Sequence, residues 1–87
     1  MLPRALTLAT CLALSLHAAP AAAQRAEANL LFDEGRAAMG KRDYLQAINK
    51  LEQSQQLDPA VGTLLNLAEC YALLGRTASA WSAYRDA

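Results

Sequence analysis

The sequence predicts an all-α chain of antiparallel helix–turn–helix repeats, and three observations carry that reading. Segment 42–47 aligns with segment 75–80 at a spacing of 33 residues, and apolar or small positions superimpose around it. Leu31 falls on Leu64, Gly35 on Ala68, Ala47 on Ala80, Ile48 on Trp81 and Leu51 on Tyr84. A period of this length marks a solenoid unit, whose copies stack to share one core. The apolar residues also recur at helical spacing, with no strand-like alternation. Finally, each break between helical stretches is only a few residues long, so consecutive helices should pack antiparallel.

Residues 1–23 are expected to form a cleaved signal peptide and to lie outside the fold. Arg4 is the only charge there, an apolar run follows over 5–16, and His17, Pro20 and small residues close it. Ala21-Ala22-Ala23 offers the Ala-x-Ala end that a signal peptidase accepts, which places the cut before Gln24. A membrane span needs about 20 apolar residues, and this run stops short of that. Leu8-Ala9-Thr10-Cys11 has the outline of a lipobox, but Thr10 is bulky for that position and the apolar run continues past Cys11. Contact with a membrane is therefore expected only through the leader, before cleavage.

Four helical stretches account for nearly all of 24–87. The first, over 25–39, sets Ala28, Leu31, Phe32, Gly35 and Ala38 on one face and ends at Gly40 and Lys41. Asp43 reads as the N-cap of the second, with Gln46 completing a capping box. That helix covers 44–57, buries Tyr44, Ala47, Ile48, Leu51 and Ser54, and stops at Asp58-Pro59, because the residue before proline is pushed out of helical geometry. The third, over 61–74, is apolar on several faces through Leu64, Leu65, Leu67, Ala68, Tyr71 and Leu74, which calls for neighbours on several sides. Gly75 ends it, Thr77 reads as the next cap, and the fourth helix begins at Ala78.

Composition excludes several functions. Beyond the leader there are seven basic residues (eight less Arg4) against eight acidic ones, mixed along the chain. No basic stripe is present to hold a phosphate backbone, so nucleic acid is not an expected partner. Cys70 is the one cysteine left after cleavage, so no internal disulfide can form, and its place on an apolar face predicts burial. The single histidine leaves with the leader. With no histidine, phosphate loop, serine elbow or metal-ligand spacing, an enzyme is not expected, nor any cofactor or metal. Asp33 and Glu34 are neighbours, but adjacent helix positions do not face each other. Cys70 would lack the base that a thiol nucleophile needs.

These spacings resemble the tetratricopeptide repeat, whose pattern runs W-x2-L-G-x2-Y, then A-x3-F, then P. In the second copy Leu64, Leu67, Ala68 and Tyr71 match the first cluster, and Ala80 and Tyr84 match A-x3-F. The first copy supplies Leu31, Gly35, Ala38, Ala47, Leu51 and Pro59, departing at Glu34 and Ala38, where the family prefers Leu and Tyr. The resemblance spans 28–87, as one repeat over 28–60 and an incomplete second over 61–87, with one residue fewer than the usual period. The wording from Leu57-Asp58-Pro59 to Ala80-Trp81 is also similar to exported bacterial repeat proteins, which implies a periplasmic or envelope setting in a Gram-negative organism.

What the resemblance implies is a groove, lined by the first helix of each repeat, that receives a protein or peptide. Carried over by position, its residues are Asn29, Phe32, Asp33, Arg36, Met39, Leu65, Asn66, Glu69 and Leu73. Arg36 could fork a carboxylate and Asn66 could bond a peptide backbone. Against this, Arg36 could pair with Glu69 across the repeats, Asn66 could only tie them together, and Phe32, Leu65 and Leu73 could belong to the core. Phe32 stands where one subtype carries a carboxylate-clamping Lys, so no such clamp is expected. Trp81 and Tyr84 should be partly exposed, as a packing surface for a further repeat in a longer protein or for a homodimer. A structural spacer beside another domain is the alternative to a binding role.

Overall fold

The computed structural model describes the backbone of residues 2–87 and the side chains of residues 21–87. The expected signal peptide and the rejected lipobox at Cys11 fall mainly on residues outside the described side chains. Among the described residues the chain is all-α, with four helices: α1 (Leu2–Gly40), α2 (Tyr44–Leu57), α3 (Val61–Leu73) and α4 (Thr77–Asp86). Among the described residues, no helix is long and apolar enough to cross a membrane.

The first helix does not begin at Arg25. α1 passes through that position without interruption, because Ala21, Ala22 and Ala23 are the strongest helix formers and nothing there caps or breaks the chain. α2 has the expected bounds, and α3 ends one residue before the expected Leu74. Thr77 is the first residue of α4 and not its cap; Arg76 occupies the cap position without a side-chain bond.

Connections of three residues join the helices at 41–43, 58–60 and 74–76. Such short loops force each helix back along its predecessor. The pairing of α1 with α2 shows the direction. The Ser54 hydroxyl donates to the Ala28 carbonyl at 2.7 Å, while Lys50 meets Glu34 at 3.2 Å further along. Gly35 lies between them, and a Cβ built on it would stand 2.7 Å from Leu51 Cγ, so only glycine permits this crossing. α2 packs in turn on α3, α3 on α4, and α1 touches the edge of α3.

The turns that reverse the chain have the same construction. After α1, Asp43 N–H donates to the Ala38 carbonyl and Arg42 N–H to that of Met39; after α3, Arg76 N–H donates to Tyr71 and Gly75 N–H to Ala72. Both are Schellman closures, which demand a left-handed residue at their hinge. Gly75 fills it at φ 76°, whereas the first repeat uses Arg42 at φ 61°, not Gly40. Asp43 also caps α2 by accepting the Gln46 N–H at 3.3 Å. The capping box is only half made, because the Asp43 N–H is already committed to Ala38.

The core unites Ala38, Ala47, Ile48, Leu51, Leu67 and Cys70, with Phe32, Met39, Tyr44 and Tyr71 packed around it. Cys70 is buried, as its apolar setting implies. Leu65 and Leu73, candidates for the core, stand about half exposed. Thr63 and Asn66 are buried in their place, since α3 turns that face toward α1 and α2.

Candidate functional site

The C-terminal part of α1 and the middle of α3 meet beside the start of α2. There Arg36, Met39, Asn66, Glu69 and Leu73 line one depression of about 310 Å³ together with Gly40 and Tyr44. The nine candidate groove residues are therefore not all in one place. Asn29 and Phe32 line a second depression of about 200 Å³ with Ser54, Asp58, Ala60 and Thr63. Asp33 and Leu65 are exposed and line neither depression.

Arg36 and Asn66 form the centre of the larger depression. Arg36 Nη1 donates to Asn66 Oδ1 at 3.4 Å, and Asn66 Nδ2 donates to the Gly62 carbonyl at 2.8 Å. The second bond orients the amide so that its oxygen faces the guanidinium. Asn66 is thus partly spent in tying α3 to α1, while the remaining N–H groups of Arg36 point from an exposed side chain. The expected alternative of an Arg36–Glu69 ion pair does not form. Among the described residues the ion pairs are Lys50–Glu34 at 3.2 Å and Arg85–Asp86 at 3.7 Å. The depression therefore presents an unpaired guanidinium and carboxylate beside Met39, Tyr44 and Leu73.

Burial, and then the nearby Glu69 carboxylate, push the Cys70 thiol up from its ordinary value, which disfavours the thiolate that a nucleophile requires. Among the described residues, no group of three or more His, Cys, Asp or Glu side chains is placed to hold a metal ion.

Two polar residues that the sequence pattern does not mark, Glu52 and Gln55, bind the helices around the site. The Tyr71 hydroxyl donates to Glu52 Oε1 at 2.5 Å, joining α3 to α2. Burial first, and then that bond, push the Tyr71 phenol up to about 12. Gln55 Oε1 accepts the Ala60 N–H at 3.0 Å and so closes the start of α3, which lacks a capping side chain. No periodicity marks Glu52 or Gln55, since both lie on the polar face of α2; only the fold brings their partners to them. Tyr44 is recognisable as apolar, but its place beside Arg36 follows from the turn before it.

Away from this site, Trp81 and Tyr84 on α4 are 67% and 52% exposed and line a shallow depression of about 350 Å³ with Arg85. Compared with known proteins, the chain matches no family model, no curated protein and no solved structure.

Proposed function

We propose that this chain is an exported tetratricopeptide-like module that binds protein or peptide without catalysis, as a scaffold or assembly subunit of a Gram-negative cell envelope. The observation that carries the binding reading is the convergence of Arg36, Met39, Asn66, Glu69 and Leu73 on one depression between α1 and α3. The leader-like residues 1–23 and the tetratricopeptide resemblance support the setting. Arg36 supplies the charged contact and Leu73 with Met39 the apolar one.

Arg36→Glu tests the reading. Capture from envelope extract, compared between the parent chain and this variant, should lose a defined protein while helix content stays unchanged. Retention of every captured protein would remove the groove from the account. One observation favours the spacer reading: the Arg36–Asn66 bond commits part of both side chains to joining helices. In that case Arg36→Glu lowers stability and changes no partner.

A further inference from the structure

The packed part of α1 begins at Ala28. That residue is 2% exposed, and its carbonyl accepts the Ser54 hydroxyl at 2.7 Å, whereas residues 21–27 are all exposed. Gln24 stands one turn ahead of this anchor and directly after the Ala-x-Ala end of the leader-like segment. A cut before Gln24 leaves a glutamine as the free end of a helix, with its α-amine and its own side-chain amide both in solvent.

We propose that Gln24 is a modification site: once the leader is removed, it closes on itself as pyroglutamate and blocks the chain's amino end against aminopeptidases. This rests on the exported reading, since only cleavage makes Gln24 terminal. The step balances without a co-reactant. The neutral α-amine nitrogen attacks Cδ of the side-chain amide and forms a five-membered lactam. The Cδ–Nε2 bond breaks, and the departing nitrogen takes one proton from the amine and leaves as ammonia. No neighbouring element covers Gln24, so its side chain is free to turn back on the amine.

Two features of the surroundings give the closed form a role. An α-ammonium on Gln24 would stand at the positive end of the α1 dipole and beside Arg25, where positive charge is disfavoured. The lactam removes that charge and keeps one N–H. Glu27, three residues on, is at capping-box spacing from it; that carboxylate offsets part of the charge in the open form and accepts the lactam N–H in the closed one. The second feature is the unpacked turn itself. Chain ends without packing are where proteases act, and residues 24–27 could be taken one at a time until the buried Ala28 is reached. A blocked end denies an aminopeptidase its first bond.

The test uses the full chain, leader included, expressed in an exporting Gram-negative host and recovered from the envelope fraction. Lysis into cold dilute acid protonates any free amine, so that no ring forms during preparation. Tandem mass spectrometry of the amino-terminal peptide should show residue 24 first, lighter than glutamine by one ammonia. Edman degradation should stall there until a pyroglutamate aminopeptidase is added. Gln24→Asn is the matching variant, because its side chain is one carbon shorter and would need a strained four-membered ring. After mass spectrometry verifies the same first residue, a broad-specificity aminopeptidase should trim this variant to Ala28 and leave the parent intact. A parent that begins at Gln24 with a free amine overturns the proposal and leaves the exported reading standing. A chain that keeps residues 1–23 overturns the exported reading and the proposal together. Equal trimming of parent and variant, or equal resistance, overturns the protective role.

Discussion

Tyr71 is the residue at which pH should act on this molecule. Its phenol is pushed up to about 12 by burial and by donation to Glu52, against about 10 in an unfolded chain. A raised value means that the unfolded chain gives up the proton first. The contribution of Tyr71 to stability is therefore full below about pH 10 and disappears as pH climbs toward about 12. Phenolate absorbance should show a component ionising near pH 12 that is missing in Tyr71→Phe. If the parent and variant titrate with the same last step, the Glu52 bond is not formed in solution. Arg42 is a second residue with a measurable strain. A side chain in the left-handed region costs about 1–2 kcal/mol, part of which glycine returns through its freer unfolded state. Arg42→Gly should raise the urea midpoint by the equivalent of about 0.5–1 kcal/mol, whereas Gly75→Ala, at φ 76°, should lower it by about 1 kcal/mol. Equal and negligible changes would mean that the two hinges do not hold these angles.

At the scale of the helices, α1 and α2 are held at close range by Gly35 and Leu51. A Cβ at Gly35 would press on a fully buried Leu51 that has nowhere to move. Gly35→Ala gains about 1 kcal/mol of helix propensity and meets an overpacking cost of about 1–3 kcal/mol. Net destabilisation of about 1 kcal/mol is the expected result in chemical denaturation, and a stabilised variant would show that the helices can part freely. Ala68 already carries that Cβ in the second repeat, where the counterpart of Leu51 is the half-exposed Tyr84. Most of this level is legible in the sequence. The spacing of Ala47, Ile48, Leu51 and Ser54 fixes the buried face of α2, and Asp58-Pro59 fixes its end. What spacing leaves open is which polar atoms take the backbone partners. Asp43 looks like a full capping box, but the closure of α1 claims its N–H first. Leu65 and Leu73 look like core, and Asn66 like surface; their exchange depends on how α3 is rotated against α1, a tertiary choice between two apolar faces.

Taken together, the four described helices form a short stack whose two faces are unlike. The α1 end carries Glu34, Lys41 and Lys50 around its depression, whereas the α4 end carries Trp81 and Tyr84. Trp81→Ser should leave helix content and the urea midpoint almost unchanged, because a residue so exposed contributes little to the folded chain. A loss of more than about 1 kcal/mol would show that Trp81 is packed in solution. The candidate groove is legible in the sequence only in part. Register places Arg36 and Glu69 on equivalent positions of successive repeats, but their separation, and the Arg36–Asn66 bond that replaces their pairing, follow from side-chain reach.

The two reversals, after α1 and after α3, carry the same pair of backbone bonds at one fixed interval. A stretch of that length, duplicated or lost by unequal crossing-over in the coding sequence, would rejoin the chain at an unchanged angle. Only nearest neighbours touch in such a stack, so a gained or lost unit alters reach and leaves the existing joints alone. Each added unit would be a whole step, and a stack joined this way would be adjusted by copying rather than by redesign.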